Sequence, residues 1–184
     1  MDAVSSLIPA LDEAVARSCD EAICAGIKGV LESRLSDAGQ FLPDSFCAPA
    51  PNRYARRLLH RDPRGRYSII VMVWGVGQET ELHDHAGQWC VEGVYRGRIK
   101  VTNFELQGRT PQGLHRFRRN EEIIGRIGEA GALIPPYEYH VIANDDARPS
   151  VTIHVYKGEM RRFSVFVPED GGYRRETRDT YYTV

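Results

Sequence analysis

A succession of short apolar segments, rich in β-branched and aromatic residues, constrains the fold of this chain more than any other feature. The first, at 67–74, reads YSIIVMVW. Gly, Pro, Asn or Asp separate it from six more segments, at 89–104 (with a turn at 95–98), 114–118, 132–134, 140–143, 151–157 and 161–167. Short strands divided by turn residues in this way are typical of an all-β sandwich or barrel.

The first 50 residues have a helical character instead. Apolar residues recur there at three- and four-residue spacing, at Leu7, Leu11 and Val15 and again at Ile23, Ile27, Val30 and Leu31. A capping-box pattern at 18–21 predicts a second helix from Cys19 to about Arg34. The segment 42–52 contains three prolines and is expected to be a connector.

A length of 184 residues favours one domain. We therefore predict a single mainly β domain over 1–184, with an N-terminal α-helical segment at 1–50, a β-barrel at 51–170 and a C-terminal tail at 171–184. The tail is polar and rich in Arg, Thr and Tyr. It fits either an edge strand or a loose cover.

Charge and composition exclude several classes of function. The chain has 24 basic and 25 acidic residues, so it lacks the basic excess of a nucleic-acid-binding domain or of an anionic-membrane binder. The longest apolar run, 69–76, is too short to span a bilayer. The start lacks the basic region of a signal peptide, and the four cysteines form no CxxC pair. We expect a cytoplasmic protein with reduced thiols.

Histidines carry most of the functional information, because five of the six lie in the strand-rich part. The sharpest local feature is His83-Asp84-His85. On a strand, residues two apart point to the same face, so both imidazoles could enter one cavity while Asp84 points away. Such a pair alone is weak evidence for a metal site. His60 and His115, each beside an arginine, are expected at the surface.

The surroundings of the histidine pair strengthen the metal-site interpretation. Residues 77–97 read G-x5-H-x-H-x4-C-x6-G, which resembles the first cupin motif with Cys90 where a glutamate usually stands. The segment 135–144 resembles the second cupin motif, which supplies one further ligand, His140, although Tyr137 replaces the usual glycine. The resemblance implies a cupin double-stranded β-helix barrel, in agreement with the strand pattern.

This resemblance implies that His83, His85 and His140 form a metal site of three neutral imidazoles without a protein carboxylate. Imidazole suits Fe, Zn, Cu and Ni alike, so the ligand type does not name the metal. Three ligands leave open coordination positions, as in catalytic sites. The alternative is that these are core histidines with ordinary hydrogen-bond partners.

A more specific resemblance is to the cysteine dioxygenase family of thiol dioxygenases. Cys90 stands in place of the cupin glutamate, as in mammalian members of that family. The segment Thr152-Ile-His154-Val-Tyr156 looks like the family's Ser-x-His-x-Tyr, with Thr for Ser. On a strand these three polar residues share one face, so a hydroxyl–imidazole–phenol hydrogen-bond chain is geometrically feasible. The resemblance gives Thr152, His154, Tyr156 and Cys90 catalytic roles.

The segment Tyr54-Ala55-Arg56 looks like the family's Tyr-x-Arg, in which the arginine binds the substrate carboxylate. A planar guanidinium suits bidentate capture of a carboxylate. The resemblance thus implies that Tyr54 and Arg56 bind substrate and that the metal is Fe(II). It also implies oxidation of a small thiol by O2 to its sulfinate, most naturally L-cysteine to cysteine sulfinate.

Glu92 departs from the mammalian pattern, which has an aliphatic residue there. It lies two residues after Cys90, so it could face the same cavity and bind substrate through an ammonium group. A buried carboxylate needs a partner, which could be that ammonium, Arg56 or another arginine. Glu92 could also point to solvent after a bulge. The resemblance also leaves open whether Cys90 and Tyr156 are cross-linked.

Two rival functions remain. The first is a dioxygenase of the same fold that acts on 3-mercaptopropionate or mercaptosuccinate; the 3-mercaptopropionate branch typically has glutamine at the position of Arg56. The second is a non-catalytic cupin that binds a metal or a ligand without turnover. The paired His154 and Tyr156 favour an enzyme, because a simple binder does not need a positioned phenol beside the metal.

Overall fold

Helices cover one sheet of a β-barrel in the computed structural model, which describes residues 3–36, 41–136 and 138–183. Tyr137, in the second histidine motif, lies outside the described residues. The described helices are α1 (Ala3–Ala14), α2 (Asp20–Ser36) and α3 (Asp44–Cys47). The helical N-terminal segment is confirmed, and α2 extends two residues beyond its predicted end. The short α3 interrupts the predicted connector.

Eleven strands follow in the described part of the chain. They are β1 (Ala55–Arg61), β2 (Tyr67–Trp74), β3 (Leu82–His83), β4 (Cys90–Arg96), β5 (Arg98–Arg109), β6 (His115–Arg126), β7 (Ala130–Leu133), β8 (Tyr139–Asn144), β9 (Ser150–Lys157), β10 (Arg162–Glu169) and β11 (Gly172–Asp179).

The strands form two sheets. The first has the order β1-β2-β9-β4-β7. The second closes on itself in the order β10-β11-β6-β5-β8-β3, with β3 paired back to β10. All of these pairings are antiparallel. The predicted mainly β barrel is therefore confirmed.

Strand β2, in the middle of the first sheet, is buried on both faces, which explains why all of its residues except Ser68 are apolar or aromatic. Ile69 and Val71 face the helices, where they join a core that includes Leu11 and Leu31. The alternate residues of β2, including Met72, face the barrel interior. The helices α1 and α2 thus close the outer face of this sheet and leave the inner face to the site.

Two strand registers position the polar side chains of the interior. In the pairing of β4 with β9, Cys90 lies opposite Tyr156 and Glu92 lies opposite His154. At the far end of β4 the chain reverses at Gly97, which has φ +77. A Cβ there would clash with Ser150, and the positive φ also favours glycine.

Two regions differ from the expectations drawn from sequence. The strand β1 precedes the first predicted strand, because its sequence, ARRLLHR, is too basic to stand out as a strand. The segment predicted as an edge strand or a loose cover contains β11, which pairs with both β10 and β6 and so is not an edge strand, and residues 180–183 then cover the end of β1. His115 is buried against Phe117 and Phe166, so its predicted surface position is wrong. Among the described residues, no helix is long and apolar enough to cross a membrane.

Candidate active site

Three histidines converge where β3 and β8 pair. His83, at the end of β3, lies opposite His140 of β8, and His85 follows in the turn after β3. The ring centroids are 4.6 Å apart for His83 and His140, 4.9 Å for His85 and His140, and 5.2 Å for His83 and His85. The structure thus brings together the three predicted metal ligands. They are all buried, and one ligand atom of each lies within 4.8 Å of the others.

The local backbone differs from the continuous strand expected through His83-Asp84-His85, because β3 ends at His83. The Asp84 carboxylate does point away from the imidazoles. It accepts hydrogen bonds from the backbone N–H groups of Ser164 and Ala86, at 2.7 and 3.1 Å. Asp84 therefore anchors the turn that brings His85 beside His83.

The hydrogen-bonding and charge of these imidazoles suit a metal ion. His83 Nδ1 lies 2.9 Å from the Glu81 carbonyl oxygen, which can only accept, so His83 Nε2 carries the lone pair. That atom faces His140 Nε2 at 3.2 Å. Among the described residues, His85 and His140 each leave one buried ring nitrogen without a partner. Burial lowers the pKa of all three imidazoles, which keeps them neutral and able to act as ligands.

A small cavity lies beside the three histidines. Of the described residues that line it, Arg56 alone carries a permanent charge. Arg56 is 5% exposed. Tyr54, His154 and Tyr156 also line the cavity, and its apolar surface comes from Met72, Met160, Ile142 and Phe163. One permanent positive charge in an otherwise neutral, largely apolar pocket favours a small anionic ligand.

The C-terminal residues hold Arg56 in place. Its guanidinium Nη1 donates to the Tyr181 carbonyl oxygen at 3.0 Å, and its backbone N–H donates to the Thr183 hydroxyl at 3.0 Å. The Tyr181 hydroxyl in turn donates to the Tyr54 carbonyl oxygen at 2.6 Å. Tyr181 and Thr180 also line the cavity. Sequence reasoning missed these residues, since a polar tail carries no motif that indicates where it packs.

Of the predicted hydrogen-bond chain from Thr152 through His154 to Tyr156, the contact between Thr152 and His154 is present. His154 Nε2 lies 2.7 Å from the Thr152 hydroxyl, which also accepts a hydrogen bond from Trp74 Nε1 at 2.9 Å. The second link differs from the prediction. The Tyr156 ring stacks on His154 at 5.9 Å between centroids, and its hydroxyl contacts Met72 Sδ at 3.9 Å. Burial raises the pKa of Tyr156 well above its usual value, so the phenol stays protonated.

Cys90 and Glu92 lie behind His154 rather than in the cavity. Cys90 Sγ and Glu92 Oε2 are 3.9 and 3.4 Å from His154 Nδ1, and both side chains are buried. Cys90 is adjacent to Tyr156 in the strand register. Glu92 lines a separate groove, which Val94 of β4 also lines, so its position differs from the predicted contact with a substrate ammonium or with Arg56. The predicted solvent-exposed alternative is also wrong, because Glu92 is 5% exposed.

Comparison with known proteins identifies the family. A profile described as cysteine dioxygenase type I matches residues 4–166. The chain belongs to the cysteine dioxygenase type I family. The human cysteine dioxygenase type 1 is 21% identical over 138 residues, which cover 74% of this chain and 66% of the human protein. The zebrafish (Danio rerio) protein of the same name is 24% identical over 152 residues, covering 79% of this chain and 70% of that protein.

A solved structure supports the fold. An uncharacterized conserved protein with a double-stranded β-helix domain from Klebsiella pneumoniae aligns with a TM-score of 0.52 and 16% identity, covering 71% of this chain and 93% of that one. The predicted cupin double-stranded β-helix barrel is confirmed. The chain spans just under two thirds of the length of its human relative, so its own activity and substrate are matters of proposal.

Proposed function

We propose that this member of the cysteine dioxygenase type I family is an iron(II)-dependent thiol dioxygenase that oxidises L-cysteine to cysteine sulfinate. The observation that carries the proposal is a cluster of three buried, neutral imidazoles, two of which line a small cavity together with the guanidinium of Arg56. The first group suits a divalent metal, and the second suits a substrate carboxylate. A cytoplasmic location belongs to the same proposal and is supported by four unpaired cysteines.

His83, His85 and His140 would hold the iron. Their neutral donors leave the charge of the ion uncompensated, which favours binding of an anionic sulfur. Iron(II), when bound there, supplies the redox chemistry that allows O2 to react with a thiol. The lone pair of His83 Nε2 is fixed by the bond from His83 Nδ1 to the Glu81 carbonyl, so this ligand is oriented before the metal arrives.

Arg56 would bind the carboxylate of the substrate and so set the distance of its thiol from the histidines. The guanidinium is held on one side by the Tyr181 carbonyl, which leaves other N–H groups to donate to a ligand. Because Arg56 is buried, such charge-assisted bonds are strong and geometrically specific. The apolar side chains of Met72, Met160 and Phe163 exclude water around the reacting sulfur.

Tyr156 would donate a hydrogen bond to the bound substrate or oxygen. Its ring centroid lies 5.9 Å from both the Arg56 guanidinium carbon and the His85 ring centroid, between the carboxylate and metal ends of the cavity. The stacking of His154, itself held by Thr152, positions the phenol. Cys90, directly opposite Tyr156 in the sheet, packs against the same ring region.

The overall reaction adds both atoms of O2 to sulfur. A thiol and O2 give a sulfinate anion and one proton, so no external reductant is needed. Sulfinate formation from a thiol is not readily reversed. The product therefore commits the sulfur to oxidation.

A thiol acid without an amino group is the second candidate substrate. Among the described residues that line the cavity there is no carboxylate to receive the ammonium of cysteine. Glu92, which was expected to serve that purpose, lies in the separate groove. This observation favours 3-mercaptopropionate or mercaptosuccinate, both of which still offer a carboxylate to Arg56.

A thiol panel tests these proposals directly. Iron-loaded protein is given L-cysteine, 3-mercaptopropionate, mercaptosuccinate and cysteamine, and both O2 uptake and sulfinate formation are measured. We expect one sulfinate per O2 consumed with a carboxylate-bearing thiol, and weak activity with cysteamine, which lacks the carboxylate. Binding of thiols without sulfinate from any of them would instead show a non-catalytic binding protein.

A further inference from the structure

His154 belongs to a second buried cluster of potential metal ligands. The proposed reaction does not use these side chains as a group. The cluster consists of Cys90 Sγ, Glu92 Oε2 and His154 Nδ1, and all of its ligand atoms lie within 4.8 Å of one another. The nitrogen is 3.4 Å from the carboxylate oxygen and 3.9 Å from the sulfur. The strand register creates the cluster, because Cys90 and Glu92 share one face of β4 and His154 faces Glu92 from β9.

The Glu92 carboxyl lacks the partner that its burial requires. The side chain is 5% exposed, and Oε2 has no hydrogen bond among the described residues. The contact with His154 Nδ1, at 3.4 Å, is too poorly aligned to count as one. A buried acid without a partner is costly, so the glutamic acid here points to a ligand that the carboxylate contacts.

Two of the three donor separations are close to those around a zinc ion, and all three donor atoms lie within 4.8 Å of one another. Zinc binds sulfur at about 2.3 Å and nitrogen or oxygen at about 2.0–2.2 Å, usually in a tetrahedron. Tetrahedral angles then separate nitrogen from oxygen by roughly 3.4 Å and nitrogen from sulfur by roughly 3.6 Å. The observed separations of 3.4 and 3.9 Å lie close to both.

We propose that Cys90, Glu92 and His154 form a second divalent-metal site, distinct from the three-histidine site, that takes Zn²⁺ or a similar thiophilic cation. A thiolate and a carboxylate neutralise the charge of the ion, and their two protons leave when it binds. Three protein donors leave a fourth position for water.

The surroundings provide an outer partner and an entry path. If a metal binds His154 Nδ1, the Nε2–H of His154 can donate to the Thr152 hydroxyl, which lies 2.7 Å away. Metal-bound histidines commonly donate their second ring N–H to such a hydrogen-bond acceptor. On the other side, Glu92 lines a groove of about 540 Å³ between the two sheets. Glu32, Glu121 and Glu129 line the same groove together with Lys28, which pairs with Glu32 at 3.6 Å. The carboxylates outnumber the ammonium, so the groove would attract cations without involving the substrate cavity.

Cobalt(II) is the probe that tests the site, because a thiolate–cobalt bond gives a near-ultraviolet charge-transfer band. The chain is produced in iron-depleted medium, so that Cys90 stays a free thiol, and is loaded with Fe²⁺ anaerobically without added thiols. Cobalt is then titrated into it. We expect one further equivalent to bind with the thiolate band, and Zn²⁺ to abolish the band. Cobalt at the three histidines gives no such band, because that site contains no sulfur.

Substitutions assign the band to the cluster. Cys90→Ser should abolish it, whereas Cys24→Ser, which alters another buried thiol outside the cluster, should leave it intact. Glu92→Gln should weaken cobalt binding at least tenfold. Thr152→Val removes only the outer partner of His154 and should weaken it by about 10- to 100-fold.

Either of two results overturns the site. One is a parent protein without the band at saturating cobalt, and the other is an equal band in Cys90→Ser. If Cys90→Ser does not fold, Glu92→Gln decides, since unchanged cobalt affinity would exclude the carboxylate as a ligand. The measurement needs no turnover, so it stands or falls separately from the proposed dioxygenase activity.

Discussion

The two buried clusters that contain histidine differ in what they must release before a metal can bind. In the cluster of His83, His85 and His140, burial lowers the pKa of every donor, so each is neutral and needs to lose no proton. In the cluster of Cys90 and Glu92 with His154, burial raises the pKa of the thiol well above its usual value and that of the carboxyl to about 8. The same dry environment prepares bases as ligands and holds acids in their protonated form.

The two clusters also differ in the open space that they adjoin. Of the three histidines, His83 and His85 line the cavity with Arg56 and Tyr156, where a thiol acid would bind. Glu92 opens instead to an acidic groove. Substitutions on the cavity side should therefore affect turnover most, and those on the groove side should affect proton-linked stability and second-metal binding.

The largest effect should come from His85→Ala. Loss of an outer partner alone lowers metal affinity by about 10- to 100-fold, and loss of a ligand should exceed that. Iron measured in the purified variant should be near zero, and sulfinate formation should be lost. The matched control is His115→Ala, which removes a buried histidine outside the site. Near-stoichiometric iron in His85→Ala would show that the three histidines are not the ligands.

Next in size is Arg56→Ala. Hydrogen bonds to charged groups are worth about 1.5–3 kcal/mol, so kcat/KM for a carboxylate-bearing thiol should fall by roughly 10- to 150-fold. Steady-state kinetics should show most of this as a higher KM. Arg57→Ala is the control, because that guanidinium donates to the Ala48 carbonyl oxygen outside the cavity. Equal kcat/KM in Arg56→Ala and the parent would exclude the carboxylate contact.

Glu92→Gln should change how stability depends on pH in metal-free protein. The folded-state pKa of about 8 lies above the ordinary value of 4.5, so ionisation favours the unfolded chain. The contribution of Glu92 to the free energy of unfolding of the parent is fully present below pH 4.5. It falls as pH rises towards 8, by at most about 1.4 kcal/mol per pH unit. The variant lacks this loss. Urea unfolding at several pH values measures the difference.

The control for that experiment is Glu121→Gln, an exposed position in the same groove, where a substitution should alter stability by less than about 0.5 kcal/mol at each pH. Parallel pH curves for the parent and Glu92→Gln would mean that the Glu92 carboxyl is not held in its protonated form by burial.

The smallest effect should come from Tyr181→Phe, which tests whether the C-terminal segment belongs to the cavity wall. The variant loses the hydroxyl bond to the Tyr54 carbonyl oxygen and should lower the free energy of unfolding by about 0.5–1.5 kcal/mol. Tyr182→Phe loses an exposed contact with Glu159 and should cost less. A larger loss in Tyr182→Phe than in Tyr181→Phe would contradict this view of the segment.

Much of the fold could be predicted because it depends on local patterns. The apolar β2 and the periodic leucines and isoleucines of the helices are buried as expected. The positions of His83 and His140 depend on motif spacing, which the pairing of β3 with β8 brings into register. Site residues that occur at a fixed motif spacing can thus be predicted from sequence alone.

The features that escaped prediction depend on contacts between distant residues. Arg56 and Tyr181 are 125 residues apart, and neither the strand β1 nor the tail shows an apolar pattern that reveals their contact. The side of the barrel that Glu92 faces depends on its pairing with His154 and on the open groove beside β7. His115 is buried by an aromatic cluster from other strands, although its own neighbours are polar.

The central claim is that iron held by His83, His85 and His140 directs both atoms of O2 to the sulfur of a substrate bound by Arg56. The most direct test is mass spectrometry of the sulfinate formed by iron-loaded protein under isotopically heavy O2 in ordinary water. The account predicts that both sulfinate oxygens carry the heavy isotope and that His85→Ala forms no product. A sulfinate with one oxygen from water, or none from O2, would contradict it.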